Sequence, residues 1–285
     1  MKGIRKIFYI FRGQFLDSFS SGRVWLGYLV GIVLAAVSAY NYMGFANGRV
    51  YQITEPFLLG FTTSGNVTLY LIGFLIIIAD APFVNNRSTM VLYRTSRNQW
   101  FWGMSIYIII HSILYYIVSF LTSCIFVIGR AYPENVWSRM MQQLIQAPYN
   151  LATGRWHLHP PGSALINVYQ PYEALAHTML LLILYSIIIA MLIFVFNTCF
   201  NKAAGSAIAG GIHIIGYILA FDNFGFAYGR FSLFFNGMFL FLIETDLSLF
   251  SSYTMMMLIL CFLLFFGPGF MRSADFKYSI GEKND

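Results

Sequence analysis

The chain has 285 residues, 58% of them hydrophobic and 10% charged, with a mean hydropathy of +0.67 and a formal net charge of +6. Soluble domains carry about 25% charged residues, so 17 basic and 11 acidic side chains cannot clothe a globule of this size in water. That excludes a cytosolic enzyme and a disordered chain, and it argues against a nucleic-acid binder despite a pI near 9.2.

The first segment, residues 1–22, is predicted to be a cytoplasmic amphipathic helix. Ile4, Ile7, Phe8, Phe11 and Phe15 recur at helical spacing on one face, and Lys2, Arg5, Lys6 and Arg12 lie on the other. Such a helix lies in a membrane interface with its basic groups near anionic headgroups. The apolar stretch behind it, about 20 residues, is longer than the core of a cleavable signal, so an uncleaved anchor is expected.

Six charge-free runs follow, 24–48, 56–79, 98–129, 174–201, 203–221 and 247–271, with lengths of 25, 24, 32, 28, 19 and 25 residues. A helix needs roughly 20 apolar residues to cross a bilayer. The fold class expected is therefore all-α integral membrane, a single domain over 1–285 with six transmembrane helices. Their cores are placed at 24–43, 60–79, 101–128, 175–199, 204–221 and 253–270. In the second, Thr62-Thr63-Ser64-Gly65-Asn66 is a polar interruption that predicts a bend or a late start. A seventh apolar segment, 231–243, has 13 residues, too few to span, and suits a re-entrant segment before the sixth span.

With the N-terminus inside, twelve of the 17 Lys and Arg residues fall on inner segments and five on outer ones. By the positive-inside rule both termini are cytoplasmic, and the high pI reads as a topology signal. The connection 129–174 is then a long extracellular loop. A helix over 134–146, stopped before Pro148, is expected in it.

Reactive chemistry is sparse. There is no G-x-x-x-x-G-K-[ST], no H-E-x-x-H, no C-x-x-C and no G-x-S-x-G. Cys124, Cys199 and Cys261 fall in or near spans and are expected to pack as small apolar residues. His157 and His159 have no third ligand nearby in sequence, so a loop role is expected over a metal site. Glu173 and His177, four apart, predict a pair on one helix face. His111 and His213 lie within spans, where an ionisable group is either functional or a neutral hydrogen-bonding link between helices. Asp80 and Asp222 sit at span ends, and Glu244 and Asp246 flank the short 231–243 segment. The absence of a mid-membrane carboxylate weakens a proton- or sodium-coupled transporter.

The inner connection between the second and third spans is the most informative loop. It runs Asp80-Ala81-Pro82-Phe83-Val84-Asn85-Asn86-Arg87-Ser88-Thr89-Met90-Val91-Leu92-Tyr93-Arg94-Thr95-Ser96-Arg97-Asn98-Gln99-Trp100. Pro82 stops the second span, Asn86 can cap a short helix to about Tyr93, and Thr95 or Ser96 can cap the third span. A short basic helix facing the cytoplasm suits docking into a groove on a partner.

These features together resemble the membrane subunit of a type-2 ATP-binding-cassette (ABC) exporter, particularly Gram-positive bacterial members. At the level of sequence the resemblance covers about 80–102; at the level of architecture it covers nearly the whole chain. It implies a permease of the bacterial cell membrane, paired with a second copy or a homologous permease and with two copies of a separate ATPase. The ATPase-coupling residues would be Arg87, Met90, Leu92, Tyr93, Arg94 and Arg97, with the amphipathic helix as the second contact. ATP and Mg would sit on the partner, with no cofactor, metal or catalytic residue on this chain, and membrane lipid as a further partner. The cargo would be an amphipathic or apolar peptide, antibiotic or lipid, moved through a cavity between permeases lined by the first, second and fifth spans. The long 129–174 loop departs from the tight connection common in the family. A secondary transporter or channel is the alternative reading, and an intramembrane enzyme the third.

Overall fold

The computed structural model describes residues 2–81, 95–146, 156–200, 204–221, 229–245 and 247–273. The protein is mostly helical. The first half contains α1 (Lys2–Ser18), α2 (Gly22–Ala46), β1 (Tyr51–Gln52), α3 (Glu55–Leu59), α4 (Ser64–Ile78) and α5 (Arg97–Val127). The second contains β2 (Ala131–Tyr132), α6 (Arg139–Gln146), α7 (Ala164–Val168), α8 (Pro171–Cys199), α9 (Ala204–Phe221), α10 (Leu233–Asn236), α11 (Phe239–Leu242) and α12 (Leu249–Ser273).

Among the described residues four helices, α2, α5, α8 and α12, are long and apolar enough to cross a membrane. The apolar helices α4 and α9 are shorter. The second expected span, 60–79, is the one that changes most. Its run breaks into the buried turn of helix α3 and the 15-residue α4, about 22 Å long, because Thr63 caps a new start by accepting from Asn66 N–H at 3.3 Å. The helix expected over 134–146 is likewise shorter: α6 begins at Arg139, after Ser138, whose hydroxyl oxygen accepts from Met141 N–H at 3.0 Å. The third helix begins where its capping signal stands. Ser96 accepts from Gln99 N–H while the Gln99 side chain accepts from Ser96 N–H, a reciprocal capping box. The 231–243 segment folds into the two single turns α10 and α11, both buried.

The longest helix, α5, organises the rest. Along one side it packs α1 and α2, with α4 resting on α2; along the other it packs α8 and α12, with α9 resting on α8. Close approach needs a missing side chain at several points, two of them against α5 or within it. A Cβ on Gly31 of α2 would lie 2.6 Å from Ser119 Oγ, and one on Gly103 of α5 would lie 2.8 Å from Ile10 of α1. Small residues at such crossings let helices approach closely where lipid supplies no hydrophobic drive between them.

The end of the bundle away from α1 carries a cap. β1 and β2 pair in parallel, Tyr51 against Ala131 and Gln52 against Tyr132, tying the α2–α3 connection to the stretch after α5. Glu244 accepts from Gly162 N–H at 2.7 Å and ties the long connection to the segment after α11.

Candidate functional site

Three polar centres stand out in this apolar frame. The first is His111, fully buried in α5. Ser18 at the end of α1 donates its hydroxyl proton to Phe15 O at 2.7 Å, so its oxygen is left to accept from His111 Nε2–H at 3.2 Å. Tyr28 of α2 donates to Nδ1 at 2.9 Å. Both ring nitrogens are satisfied and the imidazole is neutral, in the Nε2–H form. Phe15, Phe19 and Tyr107 close around it, with Tyr107 edge-on at 4.5 Å. His111 thus fastens α1 and α2 to α5.

The second centre is His213 of α9, built by the same rule. Thr68 of α4 gives its proton to Ser64 O at 2.9 Å, so it accepts from His213 Nε2–H at 3.1 Å. Tyr185 of α8 donates to Nδ1 at 2.6 Å. Here the setting is open. His213 and Thr68 are half-buried, and one turn along, Ser64 donates to the exposed Tyr217 hydroxyl at 3.3 Å. Ser64, Thr68, His213 and Tyr217 form a polar ladder where α4 and α9 meet. The outer face of α9 beside it includes Ser206, Gly210 and Gly211, and a Cβ on either glycine would meet nothing within 4 Å.

The third centre is Glu55, fully buried at the start of α3 under the cap. Its carboxylate accepts from Tyr42 OH, Ser138 N–H and Ser138 OH, each at 2.7 Å, and from Gln52 N–H at 3.3 Å. Burial pushes the carboxyl above its ordinary range, and the bonds from Tyr42 and Ser138 pull it back only in part. The hub joins α2, the β1–α3 turn and the residue before α6.

The sequence-predicted residues divide. Arg87, Met90, Leu92, Tyr93 and Arg94 lie outside the described residues, as do Asp222 and Asp246. Arg97 opens α5 and reaches Met271 O of α12 at 3.4 Å. Of the amphipathic helix, Ile4 and Phe8 are exposed, Ile7 is half-buried, and Phe11 and Phe15 pack against the core. Ile10, which the apolar face omitted, is the one buried deepest, over Gly103. Asp80 forms an ion pair with Arg23 at the start of α2. Glu173 and His177 do not form the expected pair. Glu173 turns back to accept from Gln170 N–H and caps α8, and His177 bonds Tyr253 OH on α12 at 2.8 Å. Among the described residues no group of three His, Cys, Asp or Glu converges as a metal site.

Sequence reasoning missed the Glu55 hub. Its partner Ser138 lies 83 positions away, and the signal available was only a lone carboxylate beside a break in an apolar run.

No family model, curated protein or solved structure matches the chain.

Proposed function

We propose that this chain is the membrane-spanning permease subunit of an ATP-driven ABC exporter. The observation that carries the reading is the polar ladder of Ser64, Thr68, His213 and Tyr217. Polar groups in membrane segments face a bundle interior or a water-filled cavity, not lipid. A half-exposed ladder on α4 and α9 therefore calls for a facing surface, and a second permease across a shared path supplies one. The clamp of α1 onto α5 through His111 adds support, since it gives an amphipathic helix a firm hold on the bundle.

In this reading α2, α4, α5, α8, α9 and α12 are the six spans, and α10 with α11 is the re-entrant segment before the sixth. Both termini are cytoplasmic in a bacterial cell membrane, and the Glu55 cap faces outward. Two copies of a separate ATPase bring ATP and Mg. Residues 87–93 would form the coupling helix, and Arg97, bonded to the end of α12, would carry its displacement into two spans. The cargo is an apolar or amphipathic peptide, antibiotic or lipid.

The test is purification in mild detergent from the native host, with a search of the eluate for a nucleotide-binding subunit. Co-elution of the ATPase, and ATP hydrolysis uncoupled from transport by Arg94→Asp or Leu92→Asp, is the expected result. Transport that runs on a proton gradient without ATP, with no nucleotide-binding partner retained, would replace the reading with a secondary transporter or channel.

A further inference from the structure

A groove of about 670 Å³ opens on the outer side of the bundle between the end of α1, α2 and α5. Phe19, Gly22, Trp25, Leu29, Ile32 and Val118 are among its walls. From Gly22 to Ile32 it follows ten residues of α2, about 15 Å. That is half of a hydrocarbon core of about 30 Å, the depth of one leaflet.

The wall offers no hydrogen bond. The Trp25 indole N–H is spent on Phe19 O at 2.8 Å, and the Tyr28 hydroxyl is turned inward to His111 at 2.9 Å. A peptide or sugar laid there would leave its polar groups unbonded, whereas a hydrocarbon chain would leave none. The mouth at the α1 end carries two arginines, Arg12 and Arg23, the latter paired with Asp80. Arg12, Leu16 and Phe19 sit at i, i+4 and i+7, so the exposed Arg12 stands on the α1 face that leads to the groove. Arg5 and the exposed Tyr9 continue that face toward the N-terminus, and Arg23 follows Gly22 at the start of α2.

We propose that the groove is a specific site for one acyl chain of an anionic phospholipid, drawn from the leaflet on the α1 side, with its headgroup drawn to Arg12. The site needs only the bilayer to fill and is independent of an ATPase partner. A chain seated there packs against Phe19 and Trp25, which flank the turn closed by Ser20 N–H to Asp17 O and Ser21 N–H to Ser18 O. It would therefore brace the elbow between α1 and α2.

The experiment is fluorescence quenching in nanodiscs by brominated phosphatidylglycerol or brominated phosphatidylcholine. The Trp25 signal is taken as the difference between wild type and Trp25→Phe. Quenching by the anionic lipid at a several-fold lower mole fraction is expected. Arg12→Gln should cut that preference by about fivefold. Gly22→Leu should abolish it with the thermal midpoint in detergent unchanged, since a Cβ at Gly22 meets nothing within 4 Å. Native mass spectrometry of the purified wild-type chain should show one retained anionic phospholipid. Equal quenching by the two lipids, a preference that survives Gly22→Leu, or no retained lipid would overturn the proposal. So would a cross-link between two Trp25→Cys chains in the membrane, which would make a second copy the occupant.

Discussion

His111 and His213 are wired alike and housed differently. Each gives Nε2–H to a hydroxyl already committed to its own backbone, and each takes a tyrosine proton on Nδ1. The bonds make both rings neutral ties between helices. What separates them is the surroundings. His111 is sealed behind three aromatic rings, whereas His213 is half-buried at the edge of a polar ladder that continues to Tyr217. The lesson is that hydrogen bonding alone does not tell a structural histidine from one at a working surface; the accessibility of the groups next to it does.

The comparison can be broken most forcefully at His111. Replacement by alanine strands the Tyr28 hydroxyl and opens a cavity, so a loss of about 3 kcal/mol is expected. The thermal midpoint in detergent should fall by roughly 5–10 °C, and no fall would mean that α1 is not held through this ring. A matched pair comes next. Tyr28→Phe leaves a buried imidazole nitrogen unbonded and should cost about 2 kcal/mol, against about 1 kcal/mol or less for Tyr185→Phe at the half-open site. Equal losses would erase the distinction between the two settings.

Glu55 sharpens the contrast, because it is a buried acceptor that titrates. Its folded carboxyl lies above the ordinary value, so the stability it contributes is fully present below the unfolded value and is lost as pH rises through the folded one. Protection of the Ser138 amide against hydrogen exchange, corrected for intrinsic rate, should fall as pH rises above the ordinary carboxylate range. Glu55→Gln should flatten the profile, and a wild-type profile already flat would contradict the assignment. His213→Phe removes both of its bonds and strands the buried Tyr185 hydroxyl, so a loss of about 1–2 kcal/mol is expected. Under the exporter proposal transport should nonetheless fall markedly in this variant, and wild-type transport would remove His213 from the proposed path.

Much of the helical frame was legible because charges are costly in lipid, so their gaps mark the apolar helices. The Thr62–Asn66 interruption announced the late start of α4, and Ser96 with Gln99 announced the start of α5. Local chemistry decides both. The Glu55 hub was not legible, since Gln52 reaches it locally but Ser138 meets it only across 83 positions, where β1 and β2 pair. The docking of α1 was half legible. Its moment marked Ile7, Phe11 and Phe15, but which apolar residue goes deepest depends on Gly103, a partner no local pattern names. Glu173 with His177 shows the opposite failure: correct helical spacing was outbid by a free helix terminus for one residue and by Tyr253 for the other.

One dimension of α5 has a wider consequence. At 31 residues it is about 46 Å long, against roughly 30 Å of hydrocarbon. Such a helix must lean within the bilayer or project from it, and the angle it takes is set by the helices packed against it. Because α1, α2, α8 and α12 all rest on this one rod, whatever lean it takes is shared by both halves of the molecule.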